Sequence, residues 1–221
     1  MITRVFFAAR RQDMSTEACL AHWRGEHAAI GARLPGVRSY VQNHGVLDGG
    51  KFLLGYPGFD IMPELEWDDL AAMDAAIDSP AHEQDSVDDE ANFIDVRRTV
   101  YAVTTRHVIS DTEPPDGAVK LITMLRRAPG ASVQALADAI TGAYSDAVTR
   151  SVRGRHEVLV TLPDREGRPP FGVQAVDLLW FAAPRDAVAW LVSDAAADAA
   201  WHLAGAALGS ERLIARPLKI V

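Results

Sequence analysis

One cysteine, Cys19, is all the chain has, so an intrachain disulfide and any cysteine cluster for a metal are excluded. That scarcity suits a reducing compartment. Long apolar runs are missing too: nothing approaches the roughly 18 residues that a membrane span needs. The apolar part of Met1 to Phe7 is too short for a secretory signal and reads as a strand. A cytoplasmic location is expected. Positive charge is scarce, with 22 Lys and Arg against 30 Asp and Glu and a net charge of −8, so a nucleic-acid partner would find no basic field. The sequence has no Gly-x-Gly-x-x-Gly, no P-loop and no Gly-x-Ser-x-Gly elbow, so neither a nucleotide cofactor nor a hydrolase serine is indicated. What is present is ordinary for a globular protein: 48% hydrophobic and 24% charged residues over 221 positions. That is enough chain for one large domain or two small ones with a good core.

Periodicity and punctuation order the chain. Ile2 to Arg10 is β-rich. Ser15 caps a helix running to about Leu34, and Pro35-Gly36 ends it. Val37 to Val46 and Phe59 to Trp67 alternate as strands. Helices follow from Leu70 to Ile77 and, after Ser79-Pro80, towards Phe93; Arg98 to Ile109 is strand-like. Residues 111–117, rich in Pro, Asp and Gly, form a linker by composition. The order then recurs, with strands at Val119 to Arg127, Arg155 to Leu162, Gly172 to Phe181 and Arg212 to Val221. Helices lie from Ser132 to about Thr149 and from Pro184 through Leu208. Each half reads β-α-β-β-α-β, the ferredoxin-like order. At an ungapped offset of 117, Ser15 meets Ser132, Gly25 meets Gly142 and Arg38 meets Arg155. The expected fold is α+β: two tandem ferredoxin-like repeats, 1–110 and 118–221, with antiparallel sheets face to face as an α+β barrel and a cavity between them.

The first helix carries the most chemical information. Leu20, Trp23, His27, Ile30 and Leu34 share one face. His27 is a polar ring on an apolar stripe: either a general acid/base near neutral pH or a core histidine held by a backbone carbonyl. His22 and His27 are five apart, which is not the spacing of a His-Glu-x-x-His zinc helix, and His22 with Glu26 reads as a surface pair. No metal site is expected. The second strand puts Tyr40, Gln42 and His44 on one face. If Val37 and Val41 face the helices, that trio faces the cavity and Asn43 lies on the helix side. The third strand sets Asp60, Met62, Glu64 and Glu66 against an apolar face, a row that holds either raised-pKa carboxyls or a solvated sheet edge. In the second half Trp23 becomes Ile140, His27 becomes Tyr144 and Glu64 becomes Leu178. One polar site in the first repeat, walled by an apolar second repeat, suits a small hydrophobic or aromatic ligand. Cys19 reads as a small buried hydrophobe. The acidic run of Asp85, Asp88, Asp89 and Glu90 reads as a solvated helix face.

Several blocks occur together in the first half: Trp23-Arg24-Gly25-Glu26-His27, Leu34-Pro35-Gly36, Tyr40 to His44, and Glu64 to Asp69. Ser79-Pro80 and Asp89 to Phe93 complete the set. In this order they resemble the EthD family of dimeric α/β-barrel proteins over roughly residues 1–109, with the second half a degenerate copy. The resemblance implies a ferredoxin-like half-barrel, a functional histidine at His27, its tryptophan at Trp23 and its acidic residue at Glu64. Family members of known chemistry need no metal or organic cofactor, and their barrels are usually built from two chains, which leaves a homodimer open. The implied function is a cofactor-independent lyase or isomerase (dehydratase, cyclase or lactone isomerase type). His27 moves a proton on an aromatic, lactone or polyketide-like substrate, and Glu64 orients it or acts as second acid/base. Trp23, Tyr40, Asn43, His44, Asp60, Glu66 and Tyr144 contact the substrate. The alternatives are a non-catalytic small-molecule-binding barrel and, because tandem barrels include haem enzymes, a haem protein with His156 or His202 as axial ligand.

Overall fold

The computed structural model describes residues 1–164 and 172–221. Its strands are β1 (Ile2–Arg10), β2 (Ser39–Gly45), a small hairpin β3 (Leu47–Asp48) and β4 (Lys51–Phe52), β5 (Pro63–Trp67), β6 (Ile94–Ser110), β7 (Val119–Arg127), β8 (His156–Thr161), β9 (Ala175–Phe181) and β10 (Ala207–Lys219). The helices are α1 (16–31), α2 (Leu70–Ile77), α3 (81–93), α4 (133–151), α5 (Pro184–Leu191) and α6 (Asp194–Trp201). No described helix is long and apolar enough to cross a membrane.

Contacts divide the chain into two compact units, Met1–Val103 with Pro217–Val221, and Thr104–Arg216. In the first unit the strands lie in the order β6-β1-β5-β2, followed by the C-terminal residues, where Ile220 N donates to Tyr40 O at 2.8 Å. In the second unit the order is β10-β7-β9-β8, followed by the end of β6. Each unit thus has ferredoxin-like strand order, with antiparallel pairing wherever a register is resolved. β6 and β10 are long, 17 and 13 residues, and the unit boundaries fall inside them, at 103/104 and 216/217.

Local chemistry explains the elements. The Ser15 hydroxyl caps α1 by accepting from Ala18 N at 3.1 Å, and Ser132 caps α4 in the same way on Ala135 N at 2.9 Å. Turns carry the chain from α1 through Leu34, and Gly36 adopts a positive φ of 67° that favours glycine. Helices α1, α3 and α4 each contain a π turn, Trp23–His27, Ala81–Ser86 and Ile140–Tyr144; such turns are frequent at functional sites. His27 ends the first and Tyr144 ends the third.

The register corrects the expected facing of β2. Arg4, Leu65 and Tyr40 form one row across β1, β5 and β2, and Val5, Glu64 and Val41 form the next. The Tyr40 row faces the helices. A Cβ at Gly31 of α1 would fall 2.7 Å from Tyr40 Cε1, so the missing side chain leaves a hollow that the tyrosine ring fills. Gln42 Nε2 donates to the Trp23 carbonyl of α1 at 2.7 Å. The His44 ring lies 4.7 Å from the Trp23 ring. Tyr40, Gln42 and His44 therefore lie on the helix side, and Asn43 with Glu64 on the opposite face. The expectation failed because both faces of β2 carry polar and apolar groups, and on the helix side Gln42 is held by the Trp23 carbonyl and itself bonds the Tyr40 hydroxyl and His44.

Candidate active site

His27 sits at the end of the π turn in α1 and is 4% exposed. Its partner is Asp89 of α3, whose Oδ2 accepts from His27 Nδ1 at 2.9 Å while Oδ1 accepts from His22 Nε2 at 2.9 Å. A carboxylate only accepts, so both histidines donate to it and the tautomer of His27 is set with the proton on Nδ1. Nε2 is then the nitrogen that carries a free lone pair. Phe93, one turn after Asp89, packs its ring 5.0 Å from His27 and 4.8 Å from His22.

Burial lowers the His27 pKa, outweighing the hydrogen bond and charge of Asp89, so the ring is neutral and competent as a base at neutral pH. Burial alone would raise Asp89, but the hydrogen bonds from His27 and His22 bring it below its ordinary value. Beside His27 lies a void of about 10 Å³, bordered by Arg4, Tyr40, His82 and Glu90 among others, which is water-sized. Burial raises the Glu90 carboxyl against the attraction of Arg4. Arg4 itself is lowered chiefly by burial, and stacks its guanidinium 5.7 Å from the ring centres of both Phe6 and Tyr101. Burial pushes the Tyr40 hydroxyl up to about 12, so it stays protonated. A base of lowered pKa and an acid of raised pKa thus share one void, the pattern of an acid/base pair.

The remaining sequence candidates are placed as follows. Glu64, 2% exposed, accepts from Asn43 Nδ2 at 2.9 Å on the sheet face away from the helices. It does not hold His27; that role belongs to Asp89. Glu66 accepts from Thr3 Oγ1 at 3.1 Å on the same far face. Asp60 is fully buried and ties Arg10 through its backbone N at 2.8 Å and Nη1 at 3.0 Å, with the Tyr56 hydroxyl donating at 2.9 Å. It is a structural ion pair at the end of β1. Trp23 and His44 pack against each other near α1. Burial, then the charge of Asp60, pushes the Cys19 thiol up to about 12, consistent with an inert buried group.

Two acidic residues were hidden in the run read as a solvated face. Asp85 and Asp88 are exposed, whereas Asp89 is 9% exposed and Glu90 lines the void. Ser86, Asp89, Glu90 and Phe93 fall at 3/1/3 spacing, and the buried Phe93 on that stripe was the available signal. The same folding brings His22, Glu26 and Asp89 together, with one possible ligand atom from each within 4.8 Å of the others. Spacing along one helix could not show this, because the third group comes from α3. Glu26 is exposed and His22 is already engaged by Asp89.

Tyr144, in the second unit, belongs to a separate buried cluster. Its hydroxyl donates to Asp177 Oδ2 at 2.6 Å, and His156 Nε2 donates to Asp177 Oδ1 at 2.7 Å. His156 Nδ1 is buried without a partner among the described residues. A haem iron would need an axial histidine facing room for the ring. Two cavities of this unit, about 430 and 480 Å³, are bordered by neither His156 nor His202. Neither cavity therefore offers haem an axial histidine. Asp177 was legible only as a lone carboxylate in the apolar run Ala175 to Phe181.

Likeness to solved structures extends across the whole chain. An anthrone oxidase-like protein shares 12% identity at a TM-score of 0.68, with 99% of this chain and 92% of that one covered. A candidate monooxygenase from Fusobacterium nucleatum shares 12% at 0.58, covering 98% and 92%. A variant chlorite dismutase from Candidatus Nitrospira defluvii shares 6% at 0.52, covering 99% and 92%. At these identities the likeness is one of fold. No curated protein matches the sequence. The EthD domain family matches residues 11–97, the stretch that contains His22, His27, Glu64, Asp89 and Glu90. Over residues 11–97 the chain is thus similar to an EthD domain.

Proposed function

We propose that the first unit is a cofactor-independent proton-transfer enzyme of the lyase or isomerase type, acting on a small aromatic, lactone or polyketide-like carbonyl compound. The observation that supports it best is the pairing of His27, oriented by Asp89, with Glu90 on one buried void. His27 Nε2 removes a proton from carbon activated by a carbonyl. Arg4 and the protonated Tyr40 hydroxyl stabilise the oxygen that gains negative charge. Glu90, whose carboxyl burial makes a weaker acid than usual, relays a proton to the neighbouring carbon for isomerisation, or to a departing hydroxyl for dehydration. The water-sized void requires α3 to open before substrate reaches His27, a gating step of a common kind. The likeness to an anthrone oxidase-like protein favours a second reading that shares the first step: the carbanion formed by His27 reacts with dioxygen instead of a proton.

The test is deuterium exchange in heavy water at the acidic carbon of anthrone and of a β,γ-unsaturated lactone. The protein accelerates exchange in at least one of them, and His27→Gln lowers that rate by about a hundredfold or more. Glu90→Gln retains exchange but loses net isomerisation or dehydration. Equal exchange by wild type and His27→Gln would remove His27 from the chemistry. No exchange in either compound would favour the non-catalytic binding barrel.

A further inference from the structure

The second unit holds a cavity that the EthD segment does not reach, about 430 Å³ in volume, within the range of small-molecule sites. Its walls are aliphatic and its floor is polar. The walls come from α6 and its flanks, with Ala196, Ala200, Leu203 and Leu208 among them, and from Leu125 of β7. Val192 and Leu208, which also border the cavity, are 81% and 68% exposed.

The register sets the floor. Arg212 of β10 pairs with Thr123 of β7, and Thr123 pairs with Asp177 of β9, so the three form one row across the sheet. Asp177 is saturated by Tyr144 and His156. The other two are not. Thr123 is 6% exposed, borders the cavity, and makes no side-chain hydrogen bond among the described residues. Arg212 is exposed, borders the cavity, and has no ion pair among the described residues. Tyr144 also borders the cavity but donates its proton to Asp177, so its hydroxyl oxygen can only accept there. One carboxylate, Asp194 at the first turn of α6, stands on the border with Val192.

We propose that this cavity is a second ligand site, for a small aliphatic monocarboxylate whose head group sits on Arg212 and the Thr123 hydroxyl and whose chain lies along the alanine face of α6. A guanidinium and a hydroxyl offer donors that suit a carboxylate, and the methyl-lined wall suits an alkyl chain better than a polar body. The site is independent of His27 chemistry.

The test uses three probes of one chain length, decanoate, decanol and decylamine, titrated by calorimetry into the full-length protein. Decanoate binds at one site per chain, and decanol binds about tenfold or more weakly. Arg212→Gln, an exposed position, removes that preference; Thr123→Val weakens decanoate several-fold and leaves decanol unchanged. Ala200→Trp fills the cavity and abolishes binding of both. His27→Gln leaves decanoate binding unchanged, which separates this site from the first unit. Decanol or decylamine binding as tightly as decanoate, or decanoate binding that survives Arg212→Gln intact, would overturn the proposal. So would a dimer dispersed by Ala200→Trp in a protein that binds no decanoate, because the surface would then belong to a second copy of the chain.

Discussion

Replacing His44 with Gln should flatten the acid side of the stability profile. His44 lies at the end of β2, 5% exposed, with its Nε2 2.8 Å from Gln42 Oε1 and its ring against Trp23. The Gln42 amide nitrogen is committed to the Trp23 carbonyl and the Tyr40 hydroxyl, so Oε1 is the acceptor and His44 donates from Nε2 as a neutral imidazole. Burial first, then the charge of Arg24, pushes its pKa from 6.5 to about 4. The folded value lies below the unfolded one, so the neutral ring stabilises fully above about pH 6.5, and that stability is lost as pH falls towards 4. A gap of about 2.5 units at 1.36 kcal/mol each corresponds to about 3 kcal/mol, lost at about 1.4 kcal/mol per pH unit. Urea unfolding from about pH 7 down to about pH 4.5 measures it, provided the m-value is unchanged. Only the difference between wild type and His44→Gln is read, so contributions from His27, His82 and the carboxylates cancel. Parallel curves for the two proteins would refute the reasoning.

Three further perturbations have defined outcomes. Asp89→Asn removes the negative charge and one of the two oxygens that accept from His22 and His27; it should lower the His27 pKa further, visible by NMR titration, and cost about 1–3 kcal/mol in unfolding experiments. Gly31→Ala sets about 1 kcal/mol of helix propensity against overpacking on Tyr40 at 2.7 Å. Overpacking of about 1–3 kcal/mol wins, so the melting temperature falls. Gly154→Ala is worse, because its Cβ would lie 2.3 Å from the backbone oxygen of Trp180, which cannot swing aside; a loss of about 3 kcal/mol or more is expected in the same assay.

His27 was legible because one imidazole broke an apolar helical stripe, and it does lie buried on that face. The β-α-β-β-α-β succession of elements in each half follows from the alternation and the turn residues that punctuate it. The partner of His27 was not legible by the same means. Asp89 sits among exposed neighbours of its own kind, and composition cannot distinguish the one carboxylate that turns inward; only the stripe ending at Phe93 marks it. The facing of β2 failed for a related reason. Alternation says which residues share a face, but the choice of face depends on Gly31 of α1, where a missing side chain admits the Tyr40 ring. Glu64 was singled out by its place in a row of carboxylates, yet the register puts that row on the far face of the sheet, where Asn43 satisfies it.

The long strands β6 and β10 have a consequence for synthesis. The first folding unit needs residues 217–221, which pair with Tyr40, so the EthD segment leaves the ribosome well before its own sheet can be finished. Until residues 217–221 emerge, the outer edge of β2 stays open, and an open strand edge is a template for pairing with another chain. A nascent chain stalled after residue 110 should therefore depend on chaperones and resist cutting into an autonomous half, and grafting residues 217–221 onto the end of the isolated first unit is the repair that the pairing suggests.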